Sequence, residues 1–277
     1  MKLDPEGVAQ FFKTARERFT IRINRLAGKL PWTEDRVFKE WRFCNVHREF
    51  DRTTIWFNAN VRSRVSGLQA IEATVMFRWF NKIETGELVK DLLINGWDTE
   101  EARKRLTGVS PLFTGAYMVN TPPGYTKLEG VLRSFEQGRT TLPRVLKTKT
   151  LQAAHNILYQ LPRLGRFTAY EIVSDLRWTD VLYEAPDIMT WACAGVGCAR
   201  GLGRVVSGNP GIFNYASTKQ QGEMNRLMQQ LLKLSQDPEH WPEGWRSWEM
   251  REVEHWLCEY DKYERAFEGE QLKRRYP

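Results

Sequence analysis

Leu161-Pro-Arg-Leu-Gly-Arg-Phe-Thr-Ala-Tyr-Glu-Ile-Val173 is the stretch on which the fold turns. Residues 151–160 before it carry apolar side chains at three- and four-residue spacing, and the same period resumes over 168–176. The quoted stretch therefore reads as a short connection between two helices. Gly165 lies in the connection, where a glycine lets the chain take a conformation that other residues resist. The start of the second helix leaves backbone N–H groups without partners and a dipole that favours an anion. Arg163, Leu164, Gly165, Arg166 and Thr168 are accordingly candidates for gripping a phosphate backbone, the two arginines adding charge without reading base sequence.

Outward from this hairpin, helical spacing recurs over 6–30, 33–63 with breaks, 67–81, 86–95, 99–106, 220–235 and 247–267. Strand-like alternation is scarce, so the expectation is an all-α fold. The 277 residues are 42% hydrophobic and include 11 Trp, enough apolar surface for a substantial core and too much for a disordered chain. No apolar run approaches the ~18 residues of a membrane span. Met1-Lys-Leu-Asp-Pro-Glu6 opens without the apolar segment of a secretory signal, so the expectation is a cytoplasmic protein. Cys44, Cys193, Cys198 and Cys258 suit reduced thiols. Only Cys193 and Cys198 are close in sequence and the four histidines are scattered, so no metal site is expected.

The net charge is +7, and its distribution says more than its size. Residues 139–168 hold six basic side chains and no acidic one, among them Arg139, Lys147 and Lys149. This stretch, with the hairpin inside it, is the expected DNA-facing surface.

Two further segments concentrate polar chemistry. In Phe43-Cys-Asn-Val-His-Arg-Glu-Phe-Asp-Arg-Thr-Thr-Ile-Trp56, a helical reading puts Asn45, Arg48, Glu49 and Arg52 on one polar side, with Asp51 reaching back toward His47 or Arg48. Such a face is either a solvated ion-pair ladder or the lining of a site for a polar, anionic substrate. In Arg251-Glu-Val-Glu-His-Trp-Leu-Cys-Glu-Tyr-Asp-Lys-Tyr263, Met250, Val253, Trp256, Leu257 and Tyr260 form a core stripe, flanked by Glu254 and Asp261. A carboxylate buried there needs a partner.

The hairpin resembles the helix-hairpin-helix motif, usually Leu-Pro-Gly-x-Gly-x-x-Thr-Ala, and Asp187 of Ala185-Pro186-Asp187 falls near the catalytic aspartate of the helix-hairpin-helix DNA glycosylases. Asp187 also suits an N-cap for the Ile-Met-Thr-Trp run that follows it. Phe167 stands where bifunctional glycosylases carry a lysine, which argues against lyase chemistry. Together, the segments at 43–56 and 251–263, with Trp191-Ala-Cys-Ala-Gly-Val-Gly-Cys-Ala-Arg-Gly-Leu202, resemble a phage thymine-hypermodification family. Its members are the α-glutamyl/putrescinyl thymine pyrophosphorylases, or amino acid:DNA transferases, and the helical domain of 5-hydroxymethyluracil DNA kinases. The resemblance implies one bilobal, glycosylase-like helical domain over 1–277, with the hairpin region at about 151–205 and the N- and C-terminal helices forming the second lobe.

The 277 residues contain no Gly-x4-Gly-Lys-Ser/Thr, so the resemblance points to the transferase branch rather than the kinase. The implied substrate is double-stranded DNA in which a partner base kinase has led to pyrophosphorylated 5-hydroxymethyluracil. The base is flipped out, and a free amino acid such as glycine or serine, or a polyamine, displaces pyrophosphate. Proton removal from the amine falls to Asp187, then Glu254 or Asp51. Asn45 would meet the uracil edge, and Arg48, Glu49, Arg52 and Arg200 would line the substrate site. The chemistry admits a divalent cation such as magnesium without requiring one. A monofunctional DNA glycosylase and a non-catalytic DNA-binding partner of the kinase are the alternatives, and the setting is the cytoplasm of a phage-infected bacterium.

Overall fold

A computed structural model of the chain describes residues 1–115, 121–273 and 275. Among them are thirteen α-helices and no strand, only an isolated bridge between Trp41 and Arg275. The all-α expectation holds. In chain order the helices are α1 (Pro5–Leu26), α2 (Arg36–Glu40), α3 (Arg52–Asn60), α4 (Gly67–Phe80), α5 (Ile83–Leu88), α6 (Lys90–Asn95) and α7 (Thr99–Leu106). Then follow α8 (Lys127–Arg139), α9 (Leu151–Leu158), α10 (Arg166–Leu176), α11 (Val196–Ser207), α12 (Thr218–Leu234) and α13 (Met250–Phe267). The chain divides into two units, one of Met1–Asp51 with Met189–Pro277, the other of Arg52–Ile188.

In the first unit, α1 begins where the Asp4 carboxylate accepts the Gly7 N–H at 2.9 Å and Pro5 occupies the first helical turn. Its stripe of Val8, Phe11, Phe12, Ala15 and Phe19 is buried. α13 starts with a capping box between Glu249 and Glu252, and buries Met250, Val253, Trp256 and Leu257. The Trp256 indole donates to the Phe11 carbonyl at 3.3 Å, which ties α13 to α1. α11 approaches α13 closely because Gly197 and Gly201 face it. A Cβ on Gly201 would lie 2.0 Å from the Leu257 carbonyl oxygen, and one on Gly197 would lie 2.3 Å from Cys258 Sγ. The small residues of this segment thus serve helix packing.

In the second unit, α4 is buried on nearly every side, including the cation Arg78. Arg78 meets Asp175 of α10 through two contacts, its Nη2 donating to Oδ1 at 2.8 Å, and it also reaches Thr54 and Asn81. A buried guanidinium is tolerated only when paired and hydrogen-bonded in this way. α9 and α10 pack together, joined by the seven residues 159–165.

Some sequence expectations are corrected. α1 ends at Leu26, before Gly28 turns into the left-handed region at φ +65. The span 33–63 is broken as expected, while 86–95 is divided at Val89. α8 and α11 are helices the spacing did not bring out. Gly165 has an ordinary φ of −70; the left-handed residue of the turn is Arg163, with φ +63. Arg139 does not belong to a free basic surface, since Glu72 holds it at 2.9 and 3.0 Å.

Candidate active site

The segment 43–56 is not one helix. Residues 42–47 run extended, Arg48–Phe50 is a single 3-10 turn, and α3 starts only at Arg52, in the other unit. The extended piece is pinned along α13 by its apolar residues. Phe43 and Val46 are buried, Phe43 packs edge-on to Phe38 with centroids 4.9 Å apart, and the Lys262 ammonium sits 4.4 Å above its ring. Between these two anchors the backbone of Cys44 and Asn45 meets α13, at Glu259 and His255.

There a network forms around Asn45. Its backbone N–H and its side-chain amide both donate to Asp51 Oδ1, at 3.0 and 2.8 Å, and the amide also reaches the Phe50 carbonyl at 2.9 Å. The Asn45 carbonyl lies 3.1 Å from His255 Nε2. A carbonyl only accepts, so Nε2 carries a hydrogen and, in the neutral ring, Nδ1 holds the lone pair. Cys44 donates its backbone N–H to Glu259 at 2.9 Å, and Glu259 pairs with Lys262 at 3.2 Å. Cys44, Asp51 and His255 are each half-buried, and a ligand-type atom of each lies within 4.8 Å of the others. Burial, then the Glu259 and Asp51 carboxylates, push the Cys44 thiol well above its ordinary range. Glu259 is held below the usual carboxylate range: burial opposes this, but the Lys262 ammonium and His255 outweigh it.

The other residues singled out in the sequence have specific places. Glu49 is gripped by Arg246 at 2.6 Å and by Arg251, so its charge is already matched. Arg48 is buried. Arg200 and Arg204 both bind Asp261, at 3.0 and 2.9 Å, along the contact of α11 with α13. Buried Glu254 faces the start of α11, where the Gly195 N–H points to it at 3.4 Å. Arg52 is exposed at the first position of α3. Asn45 and Asp51 are thus brought together, while Glu49, Arg200 and Glu254 occupy separate ion pairs and caps of the same unit.

Asp187 belongs to the second unit. Its carboxylate accepts the backbone N–H groups of Leu151 at 2.8 Å and Gln152 at 3.0 Å, capping α9 rather than the turn-rich residues that follow it. Around the α9–α10 connection, Arg163, Lys147 and Lys149 are exposed, Arg166 and Thr168 are half-buried, and no side chain caps α10. Leu164 is buried, so its side chain is core rather than DNA-facing. His255, Glu259 and Lys262, absent from the sequence-based site, follow each other at four and three residues on one face of α13.

Fold and site together define an all-helical domain with a mixed-charge cluster built from its two most polar segments. Residues 6–272 match the family described as the helical domain of 5-hmdU DNA kinase, and the chain belongs to that family. A 5-hmdU DNA kinase from Bacillus phage SP10 is 25% identical over 268 residues, covering 84% of this chain and 40% of the phage protein. The chain therefore spans less than half the length of that relative. No solved structure matches it. Among the described residues, no helix is long and apolar enough to cross a membrane.

Proposed function

We propose that this chain is a DNA base-modifying transferase acting in thymine hypermodification. An amine, from an amino acid such as glycine or serine or from a polyamine, displaces pyrophosphate from pyrophosphorylated 5-hydroxymethyluracil in DNA. The amine lone pair forms a C–N bond to the 5-methylene carbon as the C–O bond breaks, its electrons leave with pyrophosphate, and the amine gives up a proton. The observation that carries this reading is the cluster of Asn45, Asp51 and His255, in a chain whose family is named for a kinase of 5-hmdU DNA.

An ammonium has no lone pair, so the proton must be taken from it before attack. The Asp51–His255 cluster is assigned that task. Asp187 is assigned to the hairpin, because both of its oxygens already serve the start of α9. Arg163, Arg166, Lys147 and Lys149 are assigned to the phosphate backbone, in the manner of a helix-hairpin-helix, beside the start of α10.

The test is to incubate the purified chain with pyrophosphorylated 5-hydroxymethyluracil DNA and each amine in turn, digest to nucleosides and analyse by mass spectrometry. The expected product is an aminomethyl uridine whose mass reports the amine. Tight DNA binding with no such product from any amine rejects the transferase; release of a free base without amine favours a glycosylase.

A further inference from the structure

We infer that Cys44, Asp51 and His255 form a binding site for one divalent transition-metal ion of the zinc type, three ligands with a fourth position open. No pattern of close cysteines and histidines signals it, because its ligands come from a loop and from a helix about two hundred residues later in the chain. Cys44 Sγ, a ring nitrogen of His255 and a carboxylate oxygen of Asp51 fall within 4.8 Å of one another. Bonds of about 2.0–2.3 Å in a tetrahedral site put ligand atoms about 3.3–3.8 Å apart. Side-chain rotations that close the cluster by about an ångström would therefore complete it.

The hydrogen bonds behind the ligands provide the independent observation. Ligating imidazoles characteristically donate their other ring N–H to a carbonyl or carboxylate, which fixes the tautomer and ring orientation. His255 does so through Nε2 to the Asn45 carbonyl, and Nδ1 is left as the donor atom. Ligating carboxylates are likewise hydrogen-bonded from behind. Asp51 Oδ1 accepts twice from Asn45, which leaves Oδ2 for an ion. One residue, Asn45, thus orients two of the three ligands. Cys44 is fixed by its own N–H to Glu259. The set of one sulfur, one imidazole nitrogen and one carboxylate oxygen suits zinc and its neighbours; magnesium prefers oxygen ligands alone. Binding displaces the thiol proton, so affinity rises with pH.

The consequence for chemistry rests on the amine-transfer reading. Held by Cys44, Asp51 and His255, such an ion would supply Lewis acidity at the cluster to which removal of the ammonium proton is assigned. The ion itself stays unchanged, and the pyrophosphate carries away the electrons of the broken C–O bond.

The experiment uses the full chain without DNA or amine. Zn2+ affinity is measured by competition with a chromogenic chelator, and metal content by mass spectrometry after dialysis against metal-free buffer. We expect about one ion per chain. Cys44→Ser and His255→Gln should lose it, and Asn45→Ala should weaken it by about tenfold or more through the lost support of Asp51. Co2+ loaded into the wild type should give a thiolate-to-cobalt charge-transfer band, absent in Cys44→Ser and kept in Cys258→Ser. Circular dichroism verifies that each variant is folded. A wild type that retains no Zn2+ and gives no thiolate band overturns the site, as does equal retention by folded Cys44→Ser and wild type. Amine transfer by a chain that binds no Zn2+ removes this inference alone, and metal binding without transfer by the loaded chain removes the transferase reading alone.

Discussion

Replacing Asp187 separates a carboxylate that closes a helix from one that performs chemistry. Its oxygens accept the first two N–H groups of α9, at 2.8 and 3.0 Å. A cap that accepts one such bond is worth about 1 kcal/mol. A negative charge at a helix N-terminus adds about 0.3–1 kcal/mol, less where water reaches it, and Asp187 is half-exposed. Asp187→Ala should therefore destabilise the protein by about 2 kcal/mol. Asp187→Asn keeps one accepting oxygen and turns an NH2 toward the second N–H, so about half of that loss is expected. At about 2–4 °C per kcal/mol for chains of this order, the thermal midpoint falls by about 4–8 °C for alanine and half as much for asparagine. Removal of a general base instead lowers turnover by about 10²–10⁴. The assay pairs thermal unfolding by circular dichroism with amine transfer measured well below every midpoint. A wild-type midpoint for Asp187→Asn together with a thousandfold loss of turnover would refute the capping argument and return the carboxylate to the chemistry.

Three more outcomes follow from the packing and the buried imidazoles. Gly201→Ala drives a methyl into the Leu257 carbonyl and should cost about 1–3 kcal/mol or more, whereas Gly222→Ala, in α12 with open space around it, should stabilise by about 0.5–1 kcal/mol; equal urea midpoints for the two variants would sink the close-approach account. Arg163→Gly relieves a left-handed backbone and removes an exposed cation, so the melting temperature should rise while the salt dependence of DNA binding becomes shallower by about one unit; an unchanged salt slope removes Arg163 from the DNA surface. Burial lowers the pKa of His47 in the first unit and His155 in the second. Both stay neutral in the folded chain at pH values where the unfolded chain takes up a proton, so stability declines as pH falls from about 6.5 toward the lowered folded values. His47→Gln should flatten that decline in urea titrations across this window, and a slope identical to the wild type's would count against it.

Helix spacing read the architecture well where one stripe decides the element. In α13, Met250, Val253, Trp256 and Leu257 announce both the helix and its buried face. α8 carries the same signal in Leu128, Val131, Leu132 and Phe135, with Thr126 as its cap. Misreadings came from contacts that sequence cannot contain. Arg139 counts as part of a basic run until Glu72, 67 positions earlier, binds it. Asp187 suits a cap for the residues after it, yet the N–H groups it accepts lie 36 and 35 positions before it. The polar cluster was half legible: Asn45 and Asp51 stood out by composition, and His255, Glu259 and Lys262 share a helix face, but nothing local joins the loop to the helix.

That junction explains why a polar cluster can be precise in a loop that is mostly extended. One side of α13 is fixed by the core through Trp256 and Phe11, and another by α11, whose glycines bring the two backbones together. The side bearing His255, Glu259 and Lys262 is therefore held from behind by two packed faces. The loop needs only to seat Phe43 and Val46 for Asn45 to fall between Asp51 and His255. Sites whose supporting groups are locked by packing hold their geometry better than sites left to loops alone. Here the lock is α13, which fixes His255, Glu259 and Lys262, and the loop brings Cys44, Asn45 and Asp51 to it.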